Sequence, residues 1–424
     1  MSPDPKILSQ QIQQQKQKLR KAADLDSSFI ELSRSLKEEV EEIIALAANG
    51  SEVIPEISFT DIQNGAVSSD LTQLVKKRGC AVIRQVFSSE RVSDWNEQIV
   101  EYIESNQYYD KEIEKRGLDQ YFSQLASGRP QIFGLYWSKP QIEARQSEEL
   151  AAARRWLNRL WDHNQSGKPV FNPDQECSYA DRLRRRQPGD STLGLSPHVD
   201  GGSVERWLDE GFHNVYRHVY SGEWQKYDPF AAAHRTETKE IPSPAVCQMF
   251  RTFQGWTALT SQGPGEGTLQ LIPIARGMAW ILLRALQNDV AADDLCGAKA
   301  GRALSILPDY HQLLLKALVS IPKVQPGDTV WWHPDVIHAV EDHHQGNDYS
   351  NVMYIGAAPD CEKNQIFLPK QADAFLQGRS CPDFAPEDYE VDFVGRAQLS
   401  NLTELGRLQM GLSYCKQTHP NPFR

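Results

Sequence analysis

His198-Val199-Asp200 sets an imidazole and a carboxylate two residues apart. On an extended segment, side chains at i and i+2 leave the same face, so both groups reach one point in space without long-range folding. Two ligands leave a divalent ion under-coordinated, and a third must arrive from a distant segment. The stretch Gly327-Asp328-Thr329-Val330-Trp331-Trp332-His333-Pro334-Asp335-Val336-Ile337-His338 offers His338. Two His and one carboxylate on one face of an octahedron leave positions open for small molecules, the arrangement of non-haem Fe(II) oxygenases. The expectation is that His198, Asp200 and His338 hold one Fe(II) ion. Gly201-Gly202 lets the backbone leave the strand sharply and keeps the open side of the metal uncrowded.

Other residues of the right type are weaker candidates. His333 lies five residues before His338 and therefore on the opposite strand face, unless a bulge intervenes. Asp335 follows Pro334 and reads as a turn residue. His343 and His344 sit in a polar stretch and read as solvated. His213, His218 and His234 fall in an insertion, where a structural role is the default. Cys247 has no nearby base to make it a nucleophile. The glycines of Gly263-Pro264-Gly265-Glu266-Gly267 are not followed by a Lys-Ser/Thr pair and the next segment reads as a strand, so they read as a turn and not as a phosphate cradle.

The elements that must position these groups follow from periodicity. Phe29, Leu32, Leu36, Val40, Ile43, Ile44 and Ala47 form a helical stripe ending at Asn49-Gly50, whereas residues 7–22 are polar almost all round. Residues 1–50 are expected to be a helical arm, and 51–424 a single catalytic body. Gly79–Phe87 reads as a strand, 88–106 as a capped helix with Trp95, Ile99, Tyr102 and Ile103 on its apolar face, and 129–137 as extended. Ser178–Gln187 reads as a strand turning at Pro188-Gly189 toward His198. Ala245–Leu259 reads as a long strand with Thr268–Pro273 returning as its neighbour, and Ser350–Ala357 as a last strand. Helical insertions fall near 203–242, rich in aromatics, and 275–320. The sum is a mainly β fold with α insertions: a double-stranded β-helix, or jelly roll, with a helical shell.

With 424 residues, 40% hydrophobic and 24% charged, the composition is that of an ordinary soluble globular protein. A net charge of −11 argues against nucleic acid as a partner, since phosphate binding relies on concentrated Lys and Arg. Seven dispersed cysteines (80, 177, 247, 296, 361, 381, 415) without a C-x-x-C pair fit a reducing compartment. No apolar run approaches the ~18–20 residues of a membrane span, and the N-terminus lacks an apolar signal core. The expected location is cytoplasmic, and the expected partner a small-molecule substrate.

The ordered set Arg186-Gln187-Pro188-Gly189, PHVD, GWTAL, GPGEGTLQLIP and PGDTVWWHPDVIH resembles the Fe(II)/2-oxoglutarate-dependent dioxygenases, on the phytanoyl-CoA dioxygenase side. The fuller strings FRTFQGWTAL, VWWHPDVIH and NVMYIGAAPDCEKN resemble the YbiU-like branch of that group, over roughly residues 50–410. The resemblance implies a double-stranded β-helix, iron on His198, Asp200 and His338, and 2-oxoglutarate and O2 as co-substrates, with succinate and CO2 released as a substrate C–H bond is oxidised. It also carries the family's K-x-P lysine onto Arg186 and the aromatic of its W-x-A-L stretch onto Trp256.

One departure stands out. The family's clamp for the far carboxylate of 2-oxoglutarate is an Arg about a strand beyond the distal His, yet Glu341–Gly356 contains neither Arg nor Lys. A dianion in a pocket needs a cation, and the planar fork of Arg meets a carboxylate bidentately. Arg186 or Arg251 is expected to replace it, with Asn351 as a neutral donor. Two competing functions share these ligands: a zinc hydrolase with a metal-activated water, and a metal-binding sensor or scaffold without turnover.

Overall fold

Asp24 caps a long helix, Leu25–Ala48, by accepting a hydrogen bond from Ser27 N at 3.1 Å. Leu32, Leu36, Val40 and Ile43 are buried along one side, as the stripe predicts, and the helix ends at Asn49. Ile44, expected on the same stripe, is 42% exposed, because its position falls just off the ~100° apolar arc. The preceding helix, Pro5–Ala22, is less peripheral than its polar composition predicts: Ile12, Lys16 and Leu19 are buried. The Lys16 ammonium satisfies itself on the carbonyls of Ala291 and Asp294. Both helices share one apolar core with the insertions, including Trp207, Tyr216, Ile281 and Leu282.

The computed structural model describes residues 4–115, 130–191, 196–243 and 246–412. Arg129, Ala245 and Cys415, which belong to stretches or sets named in the sequence analysis, lie outside the described residues. The six described cysteines are free thiols.

The strands of the first half are β1 (Glu56–Ser58), β2 (Cys80–Arg84), β3 (Ile132–Phe133), β4 (Asn164–Gln165), β5 (Lys168–Pro169), β6 (Asn172–Cys177), β7 (Leu183–Arg186) and β8 (His198–Val199). Those of the second half are β9 (Phe253–Ala258), β10 (Leu269–Ile272), β11 (Leu304–Ser305), β12 (Val319–Ser320), β13 (Thr329–Trp332), β14 (Ile337–Val340) and β15 (Ser350–Asp360). They build a larger sheet, ordered β1-β2-β13-β9-β15-β7-β3 with β6 also on β15, and a smaller one, ordered β11-β8-β14-β10-β12. β4 and β5 form a separate hairpin.

The jelly-roll expectation is overturned. Helix accounts for 41% of the described residues and strand for 18%, so the fold is mixed α/β and not mainly β. Both sheets are open: each runs from one edge strand to another, and neither curls closed into a double-stranded β-helix. The physical reason lies in strand length. β8, β11 and β12 are two residues each, too few ladder hydrogen bonds to carry pairing around a barrel. The expected hairpin of Thr268–Pro273 on the preceding strand is also corrected: β9 pairs with β13 and β15, whereas β10 pairs with β12 and β14 in the other sheet. Gly263–Gly267 thus crosses between sheets. The long strand read over Ala245–Leu259 is regular only across Phe253–Ala258.

Alternation along the strands separates two cores. Phe253, Trp331, Met353 and Ile355 leave the outer face of the larger sheet and pack with Trp95 and Ile99 of the helix Ser89–Ser105, which Ser88 caps at Arg91 N. Trp256, Ala258, Val330, Trp332 and Val352 leave the inner face and meet Leu269 and Leu271 of the smaller sheet. Each such fully buried side chain contributes roughly 1.5–3 kcal/mol of burial free energy. The aromatics of the 203–242 insertion (Trp207, Phe212, Tyr216, Tyr220, Trp224, Tyr227) are core residues. Among the described residues no helix is long and apolar enough to cross a membrane.

Candidate metal centre

His198 on β8 and His338 on β14 are direct cross-strand partners in antiparallel register. That register brings two rings from segments 140 residues apart to a centroid separation of 4.3 Å. Asp200, one step past the end of β8, lies with Oδ1 3.6 Å from His198 Nε2 and Oδ2 3.4 Å from His338 Nε2. One donor atom from each of the three falls within 4.8 Å of the others.

Both rings are oriented by their own backbones. His198 Nδ1 lies 2.6 Å from the Ser196 carbonyl and His338 Nδ1 3.2 Å from the Val336 carbonyl. A carbonyl oxygen only accepts, so each Nδ1 carries a proton and Nε2 is the ring atom that faces Asp200. Burial, with the neighbouring His338, lowers the His198 imidazole to about 4. Burial alone would raise Asp200, but the His338 and His198 rings hold its carboxyl below the usual range. A divalent ion takes the Nε2 lone pair of each ring and the ionised carboxylate, and these donor atoms lie together here. The donor set therefore fits iron.

The turn after Asp200 needs its glycines. Gly201 and Gly202 have φ of 74° and 104°, and a Cβ on Gly202 would lie 2.5 Å from the Phe212 ring. Arg206, at the start of the insertion, fastens this turn: Nη2 donates to the Asp200 carbonyl at 3.0 Å and Nε to the Gly202 carbonyl at 3.0 Å. Its Nη1 donates to Asp335 Oδ1 at 2.7 Å. Asp335 is no exposed turn residue: it is buried between Arg206 and Arg235, and also accepts from Tyr216 and Tyr227. Burial opposes its charge, and Arg235 and Arg206 more than offset that, holding the carboxyl well below the usual range.

The open side of the triad faces a cavity of about 120 Å³ between the two sheets, walled by Trp256, Trp332, Leu269 and Val340. Arg184 and Arg251 line it too. Arg251 is 8% exposed, lies over the Tyr179 ring at 5.0 Å, and makes no hydrogen bond or ion pair with a described residue. Arg184 is 5% exposed; its Nη2 reaches the Gly267 carbonyl at 3.3 Å, while its Nε has no partner. Arg182, also at the wall, lies with Nε 3.7 Å from Asp181 Oδ1.

The other expected residues are placed elsewhere. Arg186 is fully buried, and its guanidinium donates to the carbonyls of Asp190, Gly267, Glu341 and Asp342. Asn351 projects from the opposite face of β15 and donates to Asn96 on the helix Ser89–Ser105. His333 stacks on Trp161 with ring centroids 4.7 Å apart; it is not on the opposite face of one strand with His338, as the spacing suggested, but follows the end of β13 in the larger sheet, whereas His338 is on β14 in the smaller one. His344, expected in solvent, is buried against Ser350. Sequence reasoning missed Arg184, although it sits two residues before Arg186 on the same strand face. It missed the Arg206–Asp335–Arg235 cluster as well, because nothing in Pro334-Asp335 signals a partner 100 residues away.

The chain is 44% identical to the Escherichia coli (strain K12) protein YbiU over 404 residues, 95% of this chain and 96% of that one. A solved Salmonella typhimurium LT2 structure superposes with a TM-score of 0.92 at 43% identity, covering 97% of this chain and 99% of that one. The structure of the GlcNAc Inducible Gene 2 protein from Candida albicans gives 0.81 at 27% identity, covering 100% and 92%. The resemblance to the YbiU-like branch is thereby borne out. The model of the Gig2-like family matches residues 6–412, and the chain belongs to that family.

Proposed function

We propose that the protein is a non-haem Fe(II)- and 2-oxoglutarate-dependent oxygenase that oxidises a small organic molecule, releasing succinate and CO2. The observation that carries this reading is the triad itself: two imidazoles and one carboxylate on one side of a cavity whose other walls include the guanidinium groups of Arg184 and Arg251. When bound, ferrous iron supplies activation of O2 coupled to oxidative decarboxylation of the keto acid.

The chain's own residues do the rest. His198, Asp200 and His338 hold the ion, and Arg206 keeps the Asp200 turn in place through the backbone. Arg184 pairs with the far carboxylate of 2-oxoglutarate. Supporting this, Arg184 is the cross-strand neighbour of Val352 on β15, beside the segment where the expected clamp is absent. Its unpartnered, buried Nε leaves donor capacity for an anion. Arg186 is committed to four carbonyls, which favours Arg184 over it. Trp256 and Trp332 present apolar walls that exclude water from the bound keto acid.

The test is oxygen uptake coupled to succinate release from Fe(II)-loaded protein, lost in His198→Ala and Asp200→Ala. Hydrolytic turnover that persists without O2 would overturn the reading in favour of zinc chemistry on the same ligands.

A further inference from the structure

Among the cations at the cavity, one has neither a hydrogen-bond acceptor nor an ion-pair partner among the described residues. Asp200 belongs to the metal, Arg182 has Asp181 beside it, and Arg184 is assigned to the keto acid. Arg251 remains, with no ion pair or hydrogen bond among the described residues. It is held over the Tyr179 ring; burial opposes its charge while Tyr179, Asp181 and Asp200 favour it, yet none of them accepts a hydrogen bond from it, so its donors are left for a group entering the cavity.

Its position adds a second, independent observation. Arg251, Gln254 and Cys247 line both the metal cavity and an adjoining cavity of about 60 Å³. The other cations of that second cavity are all matched: Arg206 and Arg235 to Asp335, and Lys363 to Glu240. Its apolar walls are Phe212, Val215, Met249 and Phe250. The unmatched cation thus stands at the junction between the metal and a partly apolar recess.

We propose that the primary substrate is an organic anion, whose carboxylate or phosphate group pairs with Arg251 while its reacting carbon lies at the open side of the triad. This rests on the reading that Arg184 takes the keto acid. No further co-reactant is needed: O2 and 2-oxoglutarate supply the oxidation, and the anionic group is a handle that is not consumed.

The experiment reads thermal stability of the Mn(II)-loaded full-length protein, first with 2-oxoglutarate alone and then with added probes. The probes are phenylacetate and hexanoate, their neutral amides, and phenyl phosphate. In the wild type, 2-oxoglutarate raises Tm, and at least one anionic probe adds roughly 2 °C that its amide does not. A shift with the carboxylates alone or with phenyl phosphate alone identifies which acid group is recognised. In Arg251→Gln the anion-dependent rise disappears while the 2-oxoglutarate rise stays, and Arg251→Lys restores part of it. The proposal is overturned if amides act as well as acids, if no anion shifts the wild type, or if the anion shift survives in Arg251→Gln. It is equally overturned if Arg251→Gln abolishes the 2-oxoglutarate rise, since Arg251 would then be the keto-acid clamp. A wild type that shows no rise with 2-oxoglutarate fails the oxygenase reading instead, a result separate from the anion-against-amide contrast.

Discussion

Arg206 and Asp335 form a buried ion pair, Nη1 to Oδ1 2.7 Å, that ties the metal-ligand turn to the loop preceding His338. Because Arg206 also donates to the Asp200 carbonyl, the pair couples two ligands that come from different strands. Neither residue touches the metal; both position what does.

Replacing Asp335 by Ala leaves Arg206 and Arg235 buried without a counter-charge. The expected loss is on the order of 3–5 kcal/mol of stability, read as a shift in urea midpoint with an unchanged m-value. A double substitution, Arg206→Met with Asp335→Leu, is expected to lose less than Asp335→Ala alone, because no orphaned charge faces Asp335's place from Arg206. A larger loss in the double variant would sink the idea that the charge imbalance is what destabilises.

Arg206→Met alone should weaken metal binding by roughly 10–100-fold, the usual effect of removing a group that orients a ligand. Titration of Mn(II) monitored by electron paramagnetic resonance checks this. An affinity equal to wild type in a folded Arg206→Met protein would show that the Gly201-Gly202 turn holds Asp200 unaided.

Arg184 and Arg186 should separate cleanly, although they share a strand face. Arg184→Gln is expected to weaken 2-oxoglutarate binding by a factor of roughly 30 or more, as for truncating one partner of a buried charge pair, with little change in Tm. Arg186→Gln strips donors from buried carbonyls and should cost stability, roughly 1–3 kcal/mol for each group left unsatisfied. Calorimetric titration of 2-oxoglutarate into the Mn(II)-loaded variants, beside their melting curves, gives both readouts; the opposite pattern would return the clamp to Arg186.

A pH dependence of stability is expected from Glu390. Its buried carboxylate accepts from Tyr136 N, Trp137 N and Tyr102 Oη, yet burial raises it from 4.5 to about 7. The folded state therefore binds the proton more tightly than the unfolded chain. The resulting stabilisation is fully present below pH 4.5 and is lost as pH rises through about 7. Urea denaturation between pH 5 and pH 8 should show wild-type stability falling across this window and Glu390→Gln falling less. Parallel slopes in the two proteins would remove Glu390 as the cause.

The metal ligands were legible without coordinates because i and i+2 on a strand share a face whatever the rest of the chain does. The helical stripe ending at Asn49 followed from the 3.6-residue period, whereas His333 did not obey strand alternation, because the chain leaves one sheet at Trp332 and enters the other at Ile337. The first two are local constraints, and local geometry transmits them intact. What only the tertiary structure decided depends on pairings across long separations. Whether β10 joins β9 or β14, whether the sheets close, which of three arginines on one strand reaches the cavity, and that Asp335 meets Arg206 and Arg235 are all settled by how distant segments dock. A strand's alternation says which side a residue takes but not what stands there, so Arg186 and Arg184 look alike in the chain, and only packing gives one to backbone carbonyls and the other to the cavity.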